Sequence, residues 1–153
     1  MPKKRGHEDD ERALRPANAW FFSSGKSGNL RHVRPYVYSF KTHAKGRWYG
    51  RPLLDVFSDE FGTHPRSYYE MAITQGRITI NGAMVAPGYL VRGGDRISHT
   101  THRHEPPVRG TEDVEVVADT RDLLVVNKPS TVPMHPCGAY RYNSLFHILD
   151  RLS

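Results

Sequence analysis

The hydrophobic period of the chain changes at Gly76, and this change limits the possible folds more than any other feature of the sequence. Before Gly76, apolar residues recur at helical spacing in two short segments, 52–62 and 65–76. After it, residues 77–80 alternate with a period of two and lead into Asn81-Gly82, the strongest short hairpin signal. Helices followed by short paired strands predict an α+β fold.

Prolines and glycines set the bounds of these elements. Pro52 and Pro65 suit the first turn of a helix, where a backbone N–H has no partner to lose, and Gly62 and Gly76 suit helix ends. After the second helix we expect a twisted hairpin sheet. Its strands are Ile78 and its neighbours, residues 83–85, residues 89–91, and a last strand at 96–98 after a Gly-Gly-Asp turn.

Positive charge is concentrated in one part of the chain. The net charge is +6, and between Arg12 and Leu54 there are nine lysines and arginines and no aspartate or glutamate. Aromatic residues are interleaved with this charge, including Trp20, Phe21, Tyr36 and Trp48. Cations neutralise phosphates and aromatic faces stack on unpaired bases, so the pattern favours a single-stranded RNA surface. The alternative is a solvated basic face over an aromatic core.

The domain organisation follows from shifts in composition. Residues 1–32 have mixed charge and no hydrophobic period, which predicts a disordered tail. Residues 33–99 carry the basic-aromatic segment, the two helices and the hairpin. Residues 100–112 contain Pro106-Pro107 and are interpreted as a linker. Residues 113–153 begin a second, incomplete domain with strands at 114–118 and 123–127.

The histidine-rich stretch before the double proline has two interpretations. His102, His104 and Glu105 could supply nitrogen and oxygen ligands to a metal ion. Pro106 prevents a helix from presenting them on one face, so we favour a polar linker and expect no metal. Cys137 is the single cysteine, which is typical of a reducing compartment. No apolar run approaches about 18 residues, so we expect an intracellular protein without a membrane partner, whether cytoplasmic, nuclear or mitochondrial.

Two stretches resemble known proteins. "RSYYEMAITQGRITINGAMVAPGYLVRGGDRI" resembles the small RNA-binding module of the S-four type, through a helix ending in GRI, the NG turn and the GD turn. An unrelated hairpin capped by two helices remains the alternative. "DTRDLLVVNKPSTVPMHPCGAYRYNSL" is similar to the opening motif of RluA-type pseudouridine synthases, in which a strand enters an NKP turn. "VRPY", "KGRWYG" and "HRHEPPV" resemble the eukaryotic branch of that family.

The resemblance implies an isomerase that converts uridine to pseudouridine in RNA, tRNA or rRNA, without metal or organic cofactor. The expected fold is α+β: an S-four-like module followed by the first strands of a mixed-sheet catalytic domain that is apparently truncated. Oligomeric state is left open. We expect RNA contacts from Arg47, Trp48, Arg66, Tyr69, Arg77, Arg103, His104, Lys128 and His135.

The family's central catalytic group is an aspartate in an HRLD-type motif, and Asp150 in "HILDRLS" is the candidate here. Only 11 residues separate Gly138 from Asp150, whereas the family has an intervening helix and loop. Apolar residues at 145, 148, 149 and 152 predict a helix after a capping Asn143, with Asp150 on its polar side. The chain is therefore either an N-terminal portion of a synthase, inactive by itself, or a noncatalytic RNA-binding protein that arose by truncation or splicing.

Overall fold

The structure is a computed structural model, and it describes residues 19–25, 28–110 and 114–150. These residues fall into two compact units. The middle unit is Val37–Arg103, and the terminal unit joins the described residues before Val37 to those from His104 onward. Within the described residues, no helix has the length and apolar composition needed to cross a membrane.

Eight strands and three α-helices make up the described part of the chain, which confirms the α+β class. The strands are β1 (Trp20–Gly25), β2 (Gly28–Val33), β3 (Tyr36–His43), β4 (Ile78–Ile80), β5 (Arg96–Arg103), β6 (Val108–Arg109), β7 (Glu115–Asp119) and β8 (Leu124–Asn127). The helices are α1 (Leu53–Glu60), α2 (Arg66–Thr74) and α3 (Leu145–Leu149), and a 3-10 turn spans Gly46–Trp48.

The middle unit packs α1 and α2 against a three-stranded sheet of order β3-β5-β4. Pro52 and Pro65 are the residues from which α1 and α2 begin, as the sequence predicts. The helices and the sheet bury one continuous apolar core, in which each fully buried leucine or isoleucine contributes roughly 1.5–3 kcal/mol. Its members are Trp48, Leu53, Leu54, Val56, Phe57, Tyr69, Ala72, Ile73, Ile78, Ile80, Val91 and Ile97.

The predicted hairpin is partly wrong. The Asn81-Gly82 turn forms, with φ of 52° and 82°, and a single bridge links Ile80 to Ala83. Residues 83–85 then leave the sheet, and β4 pairs antiparallel with β5 instead. The exchange is favourable because Ile97 of β5 is buried beside Ile80, whereas the returning segment offers Met84, which is 64% exposed.

The terminal unit contains two small sheets. β1 pairs antiparallel with β2, and β2 pairs with β6, while β7 and β8 form a separate antiparallel pair. The predicted strands at 114–118 and 123–127 are confirmed to within one residue at each end. The core of this unit is Val108, Val114, Val132, Leu145 and Ile148.

The expected disordered tail, 1–32, overlaps the β1–β2 hairpin, whose strands are Trp20–Gly25 and Gly28–Val33. Residues 1–18 of that tail lie outside the described part of the chain. Serines and glycines at 23–28 favour disorder by composition, but β1 and β2 pair with each other and β2 also pairs with β6, which is distant in sequence.

The span 100–112, interpreted as a linker, contains strand residues. β5 continues to Arg103, and β6 occupies Val108–Arg109 within the span 100–112. Residues 111–113 lie outside the described part. Pro106 and Pro107 end pairing locally because they carry no N–H, but the chain resumes pairing directly after them.

Candidate nucleic-acid interface

Several arginines of the middle unit are paired with carboxylates of α1. The Glu60 carboxylate receives two hydrogen bonds from Arg47 Nε, both 3.0 Å, and these together with the charge of Arg47 lower the pKa of Glu60 to about 2. Exposed pairs of this kind contribute at most about 1 kcal/mol to stability, but they reduce the local positive charge. The pairs are Arg47–Glu60, Arg51–Asp59 and Arg66–Asp55.

Arg77 is placed differently, because its donors meet neutral oxygens. Its Nη1 donates to the Tyr68 hydroxyl at 3.1 Å, and its Nε donates to Gln75 Oε1 at 3.1 Å. The guanidinium carbon lies 4.9 Å from the Tyr68 ring centroid, a cation–π arrangement. Its positive charge is held in a fixed position, and Arg77 forms no ion pair with a carboxylate in the part of the chain that the structure describes.

Two histidines complete a cluster around Tyr68. The exposed ring of His64 lies 4.1 Å from the Tyr68 ring at an interplanar angle of 31°. His99 Nε2 lies 3.3 Å from the Tyr68 hydroxyl. Burial, reinforced by the charges of Arg77 and His64, lowers the pKa of His99 to about 4, so this imidazole is neutral at pH 7. We call His64, Tyr68, Arg77 and His99 the Tyr68 cluster.

Two predicted RNA contacts are buried. Trp48 and Tyr69 are each 1% exposed and belong to the apolar core, so neither ring presents a face to a base. The half-buried neighbour Tyr68 is the residue that sequence reasoning missed. The helical spacing of Tyr69, Ala72 and Ile73 already marks the buried face of α2, and Tyr68 lies about 100° away from it.

Arg103 and His104 lie at the end of β5 and directly after it. The Arg103 guanidinium carbon is 5.2 Å from the centroid of Phe40, a ring of the same unit. His104 is exposed and begins the terminal unit. The structure therefore places Arg47, Arg66, Arg77 and Arg103 in the middle unit, and His104 in the other.

Lys128 and His135 occupy the NKP loop and the segment after it. Lys128 Nζ donates to the carbonyl oxygens of Val132 at 2.7 Å and Pro129 at 3.0 Å, so the lysine closes the loop upon itself. Thr131 has a φ of 70°, and its Oγ1 accepts a hydrogen bond from the Arg109 N–H at 2.7 Å. His135 is exposed on this shaped segment.

Asp150 lies at the C-terminal end of α3. Its N–H donates to the Phe146 carbonyl oxygen at 3.1 Å, and its side chain is half-buried. The predicted helix is confirmed, although Ser144 and not Asn143 is the residue before its first turn. The residues after Asp150 lie outside the described part of the chain. Asp150 stays a sequence-based candidate for the family's catalytic aspartate.

Glu105, considered above as a metal ligand, is instead a buried acceptor. Its Oε1 receives the Tyr36 hydroxyl at 2.6 Å and the Tyr142 N–H at 2.9 Å. Its Oε2 receives the N–H groups of Arg141 and Asn143, both at 3.0 Å. Four donors thus engage the carboxylate. In the described part of the chain, no group of three or more metal-ligating side chains is assembled.

Comparison with known proteins agrees with both resemblances. Residues 54–97 match the S4 domain family. Over 123 residues, 80% of this chain, the sequence is 46% identical to RNA pseudouridine synthase 7 of Arabidopsis thaliana. It is 46% identical over 125 residues to pseudouridylate synthase RPUSD2 of Mus musculus, and 38% identical over 123 residues to the mitochondrial tRNA pseudouridine(32) synthase of Saccharomyces cerevisiae.

The matched region is a limited part of these relatives. It covers 31% of the Arabidopsis protein, 22% of the mouse protein and 26% of the yeast protein, against about 80% of this chain. A match of 123 residues in a chain of 153 extends into both structural units and includes the S4 domain. The chain belongs to the RluA-type RNA pseudouridine synthase family, in its eukaryotic branch, and corresponds to an N-terminal portion of those proteins.

Proposed function

We propose that this chain binds RNA through its middle unit and serves as an RNA-binding part of a pseudouridine synthase. The observation that carries the proposal is the S4 domain match over residues 54–97, together with the Tyr68 cluster, of which His64, Tyr68 and Arg77 lie inside that span. Arg77 supplies a phosphate contact, and the exposed His64 ring and Tyr68 supply aromatic surface for bases.

The charge distribution supports Arg77 as the central cation. Arg47, Arg51 and Arg66 each form an ion pair with a carboxylate of α1, which weakens their attraction for a phosphate. Arg77 is held by neutral oxygens at 3.1 Å, so no carboxylate of the described residues competes with an approaching phosphate for its guanidinium donors. Arg–phosphate bonds are charge-assisted and stronger than neutral hydrogen bonds.

For the reaction, we propose isomerisation of uridine to pseudouridine in a structured RNA, with tRNA or rRNA as the substrate class. The support is the family relationship, including a relative named as a mitochondrial tRNA pseudouridine(32) synthase. We further propose that residues 1–153 by themselves do not catalyse this step. Asp150 ends a five-residue helix, whereas catalysis needs a carboxylate held in a walled, water-excluding pocket.

A noncatalytic RNA-binding protein is the second candidate, and it is favoured by the same placement of Asp150. Both candidates require RNA binding, so binding is tested first. A fluorescein-labelled tRNA transcript is titrated with the chain at 50 and 200 mM salt, with anisotropy as the readout. Release of counterions from several phosphates predicts at least about a tenfold loss of affinity at the higher salt. Equal affinity at the two salt concentrations would contradict the proposal.

A further inference from the structure

The β1–β2 hairpin carries a second aromatic and cationic surface, outside the S4 domain. In the register of the hairpin, Phe21 lies directly opposite His32. Their ring centroids are 4.6 Å apart and their planes differ by 11°, so the two rings are stacked. Phe21 remains 40% exposed, which leaves this pair open to solvent.

Two further side chains fix this pair and give it charge. Ser23 Oγ lies 2.7 Å from His32 Nε2, a hydrogen bond that orients the imidazole. The guanidinium carbon of Arg34, an exposed residue, lies 5.4 Å from the Phe21 ring centroid. The backbone N–H of Arg34 donates to the Ala19 carbonyl oxygen at 2.8 Å and anchors the strand end. The Phe21–His32 ring pair and the Arg34 guanidinium are therefore already positioned without a ligand.

Packing within the hairpin explains the side chains on the face opposite Phe21, but it does not explain those on the Phe21 face. Side chains alternate along a strand, so Phe22 lies on the face opposite Phe21. On that face Val33 is 6% exposed and the Arg31 guanidinium, itself buried, lies 5.5 Å from the Phe22 ring. One buried face is enough to hold such a strand pair. Packing alone therefore does not explain why the other face carries the exposed Phe21 ring, the oriented His32 imidazole and the Arg34 guanidinium.

We propose that Phe21, His32 and Arg34 form a binding site for an unpaired nucleotide of the RNA. This inference rests on the proposed function, since it assumes an RNA ligand. A base extends the stack of rings, and its phosphate meets Arg34, because bases stack on aromatic side chains and on guanidinium planes in single-stranded RNA sites. The absence of acidic residues from Arg12 to Leu54 gives this surface the charge that a polyanion requires. The site lies in the terminal unit, whereas the S4 match lies in the other.

The test compares two RNA probes that carry the same number of phosphates. One is a hairpin with a loop of unpaired nucleotides, and the other is a fully paired duplex. The double substitution Phe21→Ala, Arg34→Gln should weaken binding of the looped probe at least about fivefold and leave the duplex within about twofold. Phe21→Tyr should retain wild-type affinity because it keeps the ring.

The matched control is Phe146→Ala, which removes a phenyl ring of similar exposure, 50%, that also lies near a histidine in the same unit. It should change neither affinity. Near-ultraviolet circular dichroism and thermal unfolding of each variant check that the hairpin is intact, and Arg34→Gln alone is used where the double variant loses structure. Equal loss on both probes, or no loss on the looped probe, overturns the inference. If the wild-type chain binds neither probe, the proposed function fails with it.

Discussion

The Tyr36 hydroxyl donates a 2.6 Å hydrogen bond to Glu105 Oε1, joining two buried residues that are 69 positions apart in the sequence. The same carboxylate accepts the three consecutive N–H groups of residues 141–143. Glu105 thereby links Tyr36, the first residue of β3, to residues 141–143, which lead into α3. Each donor would otherwise be buried without an acceptor, at a cost of about 1–3 kcal/mol.

The first prediction is that Glu105→Gln destabilises the terminal unit by about 2–4 kcal/mol. An amide offers one acceptor oxygen in place of two and sets its own donors against backbone N–H groups. Tyr36→Phe should cost about 1–2 kcal/mol, since it removes one donor. Both are measured by urea unfolding. Glu115→Gln, at an exposed carboxylate, is the control and should stay within about 0.5 kcal/mol. Equal stability of Glu105→Gln and the control would contradict the role given to Glu105.

The second prediction concerns Arg77 and Arg66. Arg77→Glu should lower RNA affinity at least about tenfold, because it replaces a charge-assisted phosphate contact with a repulsion. Arg66→Glu should have the smaller effect, since this guanidinium already lies 2.6 Å from Asp55. Anisotropy titrations with a tRNA transcript measure both. Arg121→Glu, at the exposed turn between β7 and β8, makes the same charge change and serves as the control. An Arg66 variant more severe than the Arg77 variant would refute this ranking.

The third prediction is a pH dependence of stability from His99. Burial lowers its pKa to about 4 from an ordinary 6.5, helped by the charges of Arg77 and His64, and its ring also packs against Phe57 and Tyr68. The unfolded chain therefore binds a proton before the folded chain does. The stabilising contribution is complete above pH 6.5 and declines as the pH falls from 6.5 towards 4.

After allowance for solvent screening, His99 should account for about 1 kcal/mol of lost stability between pH 6.5 and 5. The measurement is the free energy of unfolding at several pH values, for wild type and His99→Gln. The variant should have a flatter profile in this window. His135→Gln, at an exposed histidine, should keep the wild-type slope. A profile unchanged by His99→Gln would show that another group titrates.

The fourth prediction concerns Asp150. Purified chain incubated with total cellular RNA should produce no new carbodiimide-dependent stops, and Asp150→Ala should leave RNA affinity within about twofold. The physical reason is that Asp150 is the C-cap of a five-residue helix, whereas catalysis needs a carboxylate held in a walled, water-excluding pocket. New stops that disappear in Asp150→Ala would show that this aspartate is catalytic in the short chain.

The fifth prediction concerns the β7–β8 pair, whose apolar side chains are largely exposed. Val117 is 62% and Leu123 is 68% exposed, and Val116, Leu124 and Val125 are each about half exposed. Exposed apolar side chains on both strands of a two-stranded sheet favour association. Sedimentation velocity should show concentration-dependent self-association, and the double substitution Val117→Lys, Leu123→Lys should reduce it. Val37→Lys, at an exposed valine of the middle unit, should not. A wild-type chain that stays monomeric at all concentrations would refute the prediction.

The sequence by itself determined the elements whose signals are local. Pro52 and Pro65 fix the starts of α1 and α2 because they act through their own backbone geometry. Asn81-Gly82 fixes its turn because both residues tolerate positive φ. The NKP loop and the β7–β8 strands could likewise be predicted, since Pro129 and the short apolar runs act within a few positions.

Only the tertiary structure decided which distant groups meet. β4 pairs with β5 and not with the segment after its turn, because burial of Ile97 outweighs the short loop. Which arginines form ion pairs depends on where α1 places its carboxylates. Tyr68 contacts Arg77, whereas the ring of Tyr69 is buried in the core. Glu105 finds its four donors 36 to 69 positions away. Such contacts depend on chain packing over long separations, which propensity and spacing along the sequence do not encode.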